Sequence, residues 1–175
     1  MREIEIKLRV KNLEELEKSL LESGVMLSHP INQRDVVYSS KSVNWRGAIR
    51  IRYEDGGAEL TLKKELTNEM DNIECETKVE KPEEIHKMLE ILDWEPEVEV
   101  VKIRRKGKMG KYEICVDRVE HLGNFVELEK MTDDNANPNE VRKELFEALK
   151  PFGLSEADEE TRGYDTQIYQ LNNIK

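Results

Sequence analysis

The chain has 175 residues, enough for one domain with a buried core, and 38% of them are charged. Its net charge of −10 argues against a general binder of nucleic acid or anionic membranes, because the field of the whole molecule would repel a polyanion. Two cysteines without CxxC spacing, three scattered histidines and the lack of a long apolar run argue against a disulfide framework, a zinc site and a spanning helix. We therefore expect one cytoplasmic domain over residues 1–175.

The first half of the chain mixes strand and helix patterns. Residues 2–10 read REIEIKLRV, in which charged and aliphatic residues alternate as they do on a strand with one charged and one apolar face. Asn12 is predicted to cap a helix that ends at Gly24. The glycines at 56–57 predict a hairpin turn. The extended segments predicted here are residues 25–40 (best at 35–38), 48–53, 59–65 and 73–80.

The second half repeats this organisation. Pro82 begins a second helix, whose apolar stripe runs up to Trp94. A third helix is predicted over 139–152, and a last short element around 164–171. The remaining extended segments are residues 98–106, 111–118 and 125–131. About eight strands and three helices in this order predict an α+β domain with a mostly antiparallel sheet.

The predicted strands share a further feature: charged residues of both signs fall in phase on one face, and the other face is aliphatic. If about eight strands close into a barrel, the charged faces line a lumen that can hold one small ligand, and helices cover the aliphatic outside. The cations of this face are Lys7, Arg9, Arg50, Arg52, Lys63, Lys78, Lys102 and Arg104. Its carboxylates are Glu3, Glu5, Glu74, Glu76, Asp117, Glu127 and Glu129.

The charges of such a lumen must pair with one another or with a ligand, because unpaired charges in a narrow space are costly. Basic groups that converge from several strands suit a chain of phosphates, and pairs of carboxylates suit Mg²⁺ or Mn²⁺. A polyphosphate with a divalent metal satisfies both sets. The alternative is a sheet surface with cross-strand salt bridges, which the alternation alone does not exclude.

Taken together, these motifs resemble the CYTH family of triphosphate tunnel metalloenzymes, and they look most like its class IV adenylyl cyclase branch. Each motif is weak alone, but their order over nearly the whole chain is specific. They are Glu3-Ile4-Glu5-Ile6-Lys7, Ile49-Arg50-Ile51-Arg52, Leu60-Thr61-Leu62-Lys63, Glu74-Cys75-Glu76, Lys102-Ile103-Arg104, and Asp117 followed by Leu122-Gly123-Asn124-Phe125 and Glu127-Leu128-Glu129.

The resemblance implies an antiparallel tunnel barrel with helices outside, and an enzyme that acts on a triphosphate with Mg²⁺ or Mn²⁺. It implies that the basic set named above binds the triphosphate. It also implies direct roles in catalysis for Lys7, Glu127 and Glu129. The metal ligands that it implies are Glu3, Glu5, Asp117, Glu127 and Glu129.

Three functions stay open at this point. A cyclase would convert ATP to cyclic AMP and pyrophosphate, by attack of the ribose 3′-hydroxyl on the α-phosphorus. A triphosphatase would direct water to the γ-phosphorus of inorganic, thiamine or nucleoside triphosphate, and both reactions would use the same lumen. A binding module would hold the triphosphate without turnover. Family analogy also predicts a homodimer, and Trp45 either stacks on a base or anchors the sheet rim.

Overall fold

The computed structural model describes residues 2–42 and 46–173, and its central feature is a closed barrel of eight strands. The strands are β1 (Arg2–Arg9), β2 (Ile31–Ser40), β3 (Gly47–Glu54), β4 (Gly57–Glu65), β5 (Asp71–Val79), β6 (Trp94–Met109), β7 (Tyr112–Val119) and β8 (Gly123–Thr132). Their order around the barrel is β1-β5-β4-β3-β2-β6-β7-β8, and β8 pairs with β1 again. Every neighbouring pair is antiparallel. The predicted α+β barrel is confirmed.

Within residues 2–42 and 46–173, four α-helices pack on this barrel. They are α1 (Leu13–Glu22), α2 (Pro82–Ile91), α3 (Pro138–Leu149) and α4 (Tyr164–Asn173), with two single turns of 3₁₀ helix at Lys150–Phe152 and Glu156–Asp158. The Asn12 side chain caps α1 by accepting a hydrogen bond from the Glu15 N–H, as the sequence predicted.

The main hydrophobic core lies outside the barrel wall, because the strands alternate. In β1, Ile4, Ile6 and Leu8 point outward and are fully buried under α1 and α3, and Glu5 and Lys7 point into the lumen. The buried members of this core are Ile4, Ile6, Leu8, Leu13, Leu16, Leu20, Val25, Ile114, Val116, Val126, Leu128, Val141, Leu145, Phe146 and Leu149.

A second apolar cluster closes one end of the barrel. Tyr164 and Ile168 of α4 pack against inward-facing side chains of β2, β6 and β8. The other buried members of this cluster are Val37, Val98, Val100, Val119 and Phe125. The last element of the chain, predicted only as short, is therefore a helix that seals the lumen.

The turn chemistry is predicted well, but several element boundaries are wrong. The segment predicted as extended from residue 25 becomes strand β2 only from Ile31. Asp55 and Gly56 form the two-residue connection between β3 and β4, and Gly56 has a φ of +90° that glycine adopts without strain. By contrast, α2 ends at Ile91, and Asp93 takes a φ of +61°. Trp94 therefore begins β6, which is 16 residues long and extends beyond the predicted 98–106 at both ends.

Among the described residues, no helix is long and apolar enough to cross a bilayer. Trp45, for which two roles were predicted, lies outside the described ranges.

Candidate active site

The barrel encloses a cavity of about 660 Å³, a volume within the 300–1,000 Å³ that is typical of small-molecule sites. All eight strands and the start of α4 contribute to its lining. Twelve of the charged residues predicted from the sequence lie on it: Glu3, Glu5, Lys7, Arg50, Arg52, Lys63, Glu74, Glu76, Lys102, Arg104, Glu127 and Glu129.

Arg9, Lys78 and Asp117 are not part of the lining. Arg9 and Lys78 lie near strand ends, where the charged face leaves the lumen. Arg9 is half exposed and pairs with Glu160 at 2.8 Å, and Lys78 is exposed. The structure thus does not bring these two cations to the cavity, and Asp117 lies behind its surface, fully buried.

One side of the lumen, here called the basic wall, consists of Arg50, Arg52 and Lys102 around Asp35. Arg52 donates two hydrogen bonds to the Asp35 carboxylate, at 2.7 and 2.8 Å. Lys102 lies 3.4 Å from the same carboxylate, and Arg50 lies 3.8 Å from it. Burial alone would raise the pKa of Asp35, but these cations outweigh it and hold the pKa well below its usual range.

Lys102 is the cation of this wall whose pKa is lowered. It is 4% exposed, and its burial together with the neighbouring Arg104 lowers its pKa to about 8, although Asp35 acts in the opposite direction. Three cations around one carboxylate leave the basic wall with a surplus of positive charge.

The strands β3, β4 and β5 carry a second network. Lys63 lies 2.7 Å from Glu74 and 3.3 Å from Glu3. Arg50 reaches Glu74 at 3.4 Å and Glu76 at 3.7 Å. Burial opposes ionisation of Glu74, yet Lys63 and Arg50 lower its pKa to about 2. Glu74 and Glu76 thus each pair with a cation of this network.

Arg104 connects both sides of the lumen to the end that α4 seals. Its Nε donates to Asp117 Oδ1 at 2.7 Å, and its Nη2 donates to both Asp117 and Glu127. The Tyr164 hydroxyl also donates to Asp117, at 2.9 Å. Asp117 is fully buried behind the cavity surface with both oxygens engaged in this way, so it is placed to orient Arg104 and not to reach a metal in the lumen.

The Tyr164 ring lies between two lysines of the lumen. The Lys7 ammonium is 4.5 Å from the ring centroid, and the Lys102 ammonium is 5.2 Å from it. Lys7 also donates to the Arg162 carbonyl at 3.1 Å and lies 3.6 Å from Glu127. The start of α4 is thus a part of the site that the sequence motifs did not assign.

The opposite side of the lumen, here called the acidic wall, carries Glu3, Glu5, Glu127 and Glu129 on β1 and β8. Glu5 and Glu129 face each other in the strand register, and within the described ranges neither carboxylate forms an ion pair. Burial and the neighbouring carboxylates raise the pKa of Glu5 and of Glu129, and burial raises that of Glu3 to about 7. Glu127 behaves differently: Arg104 and Lys7 overcome its burial and lower its pKa.

Among the described residues that line the cavity, carboxylates outnumber cations, eleven to nine. The cations are Lys7, Arg50, Arg52, Lys63, Lys102, Arg104, Lys106, Lys108 and Lys111, and the carboxylates are Glu3, Glu5, Asp35, Glu65, Glu69, Glu74, Glu76, Glu113, Glu127, Glu129 and Asp165. A polyphosphate would therefore bind more tightly in this interior together with a cation that offsets the excess of negative charge. Carboxylate oxygens are the ligands that Mg²⁺ and Mn²⁺ prefer, and Glu5 and Glu129 form no ion pair among the described residues, so the acidic wall fits a divalent metal.

Several residues of the site were absent from the sequence prediction, and Asp35, Cys115 and Tyr164 are three of them. Asp35 precedes an apolar run, so its side of the strand was not assigned to the lumen. Cys115 lies in phase with Glu113 and Asp117 on β7, a signal that could have placed it in the lumen. Tyr164 lies in a segment whose position no local pattern determines.

Comparison with known proteins agrees with this geometry. The model of the CYTH domain family matches residues 1–164, and the chain belongs to this family. A relative from Methanocaldococcus jannaschii, named "Putative adenylate cyclase MJ0240", is 29% identical over 160 residues, which cover 89% of this chain and 91% of the relative. The family resemblance of the motifs is thereby confirmed.

Two solved structures illustrate how widely the fold is shared. The PH1012 protein from Pyrococcus horikoshii superposes with a TM-score of 0.83 at 28% identity, and the match covers 95% of this chain and 99% of that protein. A Hippeastrum protein superposes with a TM-score of 0.67 at 16% identity, with 99% and 97% of the chains covered. It is described as a "putative adenylyl cyclase HpAC1" with "a dominant triphosphatase activity"; at this identity the likeness shows the fold alone.

Proposed function

We propose that this CYTH-family protein is a divalent-metal-dependent adenylyl cyclase that converts ATP to cyclic AMP and pyrophosphate in the cytoplasm. The observation that carries the proposal is the closed lumen, in which a basic wall on β2, β3 and β6 faces an acidic wall on β1 and β8. The relative from M. jannaschii, which is named for adenylate cyclase activity and matches over 89% of the chain, supports ATP as the substrate.

The basic wall would hold the phosphates. Arg50, Arg52 and Lys102 converge from two strands, and Asp35 fixes the Arg52 guanidinium through two hydrogen bonds. An oriented guanidinium loses little freedom on binding, and its remaining N–H groups suit two phosphate oxygens at once. Lys63 and Arg104 extend this surface to both sides. Catalysis would then rest on positioning and on neutralising charge.

The acidic wall would hold the metal through Glu3, Glu5, Glu127 and Glu129. When bound, a divalent ion would neutralise phosphate charge and lower the pKa of the attacking hydroxyl. The carboxylates lie on two adjacent strands in register, so their backbones are held rigidly. Glu5 and Glu127 are buried and Glu3 and Glu129 are half-buried, which limits their contact with bulk water and strengthens their attraction to a cation.

Lys7 would act between the two walls. Its side chain is 2% exposed, and its ammonium group contacts the Arg162 carbonyl, the Tyr164 ring and Glu127. A cation fixed in this way can stabilise negative charge that develops on a phosphate oxygen during the reaction. We therefore keep Lys7, together with Glu127 and Glu129, as the candidate catalytic residues.

Hydrolysis is the second candidate, because the same walls could hold inorganic triphosphate or thiamine triphosphate. The Hippeastrum protein, described as having dominant triphosphatase activity, has the same barrel. A cyclase and a triphosphatase would differ in where the nucleophile enters, and the walls themselves are common to both.

The deciding experiment incubates the protein with ATP, inorganic triphosphate or thiamine triphosphate, each with Mg²⁺ or Mn²⁺. Cyclic AMP and pyrophosphate from ATP support the cyclase, and orthophosphate from any of the three supports the triphosphatase. Glu127→Gln should abolish turnover while triphosphate binding persists. Glu99→Gln is the matched control, because Glu99 is exposed and pairs only with Arg34 among the described residues. Triphosphate binding without any turnover would instead identify a binding module.

A further inference from the structure

Cys115 lies inside the lumen, beside the acidic wall. It is on β7, lines the cavity and is 3% exposed. Its Sγ lies 3.8 Å from Glu129 Oε1, and the Sγ and one carboxylate oxygen each of Glu127 and Glu129 are all within 4.8 Å of one another. The strand register explains this proximity, because Cys115 and Glu127 are directly opposite on β7 and β8.

Glu5 provides a second and independent indication that a cation belongs here. Its side chain is 94% buried, lines the cavity and lies opposite Glu129 in the pairing of β1 with β8. Over residues 2–42 and 46–173, its carboxylate accepts no hydrogen bond and forms no ion pair. A buried carboxylate without a partner is costly, and a bound cation would remove that cost.

The spacing of the donors suits a single ion. Two donors on one ion are separated by at most about twice the metal–ligand bond length, roughly 4–5 Å for bonds of about 2.0–2.4 Å. The sulfur atom and the two carboxylate oxygens already meet this limit. Sulfur is a soft donor that favours Zn²⁺ and similar ions, whereas an all-oxygen site favours Mg²⁺, Ca²⁺ and Mn²⁺.

We propose that Cys115 is a thiolate ligand of the lumen's metal site and that the site therefore binds thiophilic divalent ions, such as Cd²⁺, Co²⁺ and Zn²⁺, more tightly than carboxylates alone would. Coordination replaces the S–H bond with a sulfur–metal bond and releases one proton to the solvent. The inference rests on the metal site of the proposed function, but it does not depend on which reaction takes place there.

The test titrates the full-length, metal-free protein with Cd²⁺ and follows the ultraviolet charge-transfer band of a thiolate–cadmium bond. The chain offers an ideal control, because its only other cysteine, Cys75, is exposed on β5. Cys75→Ser leaves Cys115 as the single thiol and should retain the band with one equivalent of Cd²⁺. Cys115→Ser should lose it.

The affinities provide a second measurement. Loss of an outer-shell partner already lowers metal affinity about 10–100-fold, so loss of the sulfur ligand should weaken Cd²⁺ binding at least tenfold. Mg²⁺ affinity should change less than Cd²⁺ affinity, because Mg²⁺ gains little from sulfur.

Three outcomes separate this inference from the proposed function. Binding of Mn²⁺ is measured by the electron paramagnetic resonance signal of free Mn²⁺. If Cys75→Ser binds Mn²⁺ but shows no thiolate band with Cd²⁺, then Cys115 is not a metal ligand and the carboxylate site stands. If neither Cd²⁺ nor Mn²⁺ binds, both fail. If the band is present and no triphosphate is turned over, the metal site stands and the proposed reaction fails. Because Cys75→Ser keeps the lumen unchanged, the test does not depend on the folding of Cys115→Ser.

Discussion

The two walls of the lumen are built by the same alternation, yet their electrostatics are opposite. On the basic wall, Asp35 is surrounded by three cations and its pKa is lowered. On the acidic wall, Glu5 and Glu129 are directly opposite each other on the neighbouring strands β1 and β8, and the pKa of each is raised. In the strand order, β1 and β2 are four positions apart around the eight-stranded ring, so the two walls are on opposite sides.

The difference shows which part of the site is held in place without a ligand. On the basic wall, Asp35 fixes the cations in the folded chain, and the surplus of positive charge is left for phosphate groups. The acidic wall has carboxylates that only an added cation, or protons, can neutralise. Removing the charge of one carboxylate should therefore destabilise the first wall and stabilise the second, although the chemical change is the same.

The largest effect is expected for Asp35→Asn, which breaks the pair with Arg52. Removal of one partner of a buried ion pair leaves the other charge uncompensated and costs about 3–5 kcal/mol. Urea unfolding in EDTA measures the loss. Asp93→Asn is the control, because Asp93 is exposed and asparagine tolerates its positive φ. An unchanged free energy of unfolding in Asp35→Asn would mean that the basic wall is not organised around this carboxylate.

Glu129→Gln should change the free energy of unfolding in the opposite direction. This carboxylate is half-buried in the lumen without an ion pair among the described residues, and burial and neighbouring carboxylates raise its pKa, so replacing it with a neutral amide should raise the free energy of unfolding by about 1–3 kcal/mol in EDTA. In saturating Mn²⁺ the gain should disappear, because the variant then loses metal-linked stabilisation. Glu99→Gln, at an exposed position, should change the free energy of unfolding neither in EDTA nor in Mn²⁺. A loss of stability in EDTA would show that Glu129 has a partner without metal.

The pH dependence of triphosphate binding tests the basic wall more finely. The pKa of Lys102 is lowered to about 8, so its ammonium is charged below that pH and neutral above it. Affinity for inorganic triphosphate without metal should therefore fall about tenfold between about pH 7 and about pH 9, because the protonated fraction of Lys102 falls by about that factor.

Lys102→Arg is the matched variant, since arginine keeps its charge over this range. Isothermal titration calorimetry of both proteins separates the lysine from the ionisation of the triphosphate itself. Equal pH profiles for the two proteins would exclude Lys102 as the titrating group.

The smallest effect is expected for Tyr164→Phe, at the junction of the two walls. The variant keeps the ring between Lys7 and Lys102 and loses only the hydrogen bond to Asp117, so it should cost about 0.5–1.5 kcal/mol of stability. Triphosphate affinity should fall as well, because Asp117 holds Arg104. Tyr169→Phe, in the same helix with an exposed side chain, is the control. If triphosphate affinity stays at the wild-type value while stability falls, the hydroxyl serves packing alone.

Much of the lumen was predictable because a strand has an invariant period of two. Glu3, Glu5 and Lys7 had to share one face wherever β1 lay, and the same holds for Glu127 with Glu129. The limits of this argument appear at strand ends. Arg9 has the right phase, yet it lies beyond the section where the barrel encloses space. Phase gives the side of a strand, but not how far along the strand the lumen extends.

Partners across the lumen were not predictable from local pattern. Asp35 and Lys102 are 67 positions apart, and Tyr164 and Asp117 are 47 apart. Their contacts depend on how the strands are ordered around the ring and on where α4 docks. No periodicity within one segment encodes either feature.

The sequence by itself determined the alternating faces, the α+β class and the set of charged residues available to a site, because side-chain direction along a strand is a local property. Only the tertiary structure decided which charges neutralise one another and which are left for a ligand. That choice depends on distances of a few ångströms between strands that are far apart in the chain, and barrel closure sets those distances.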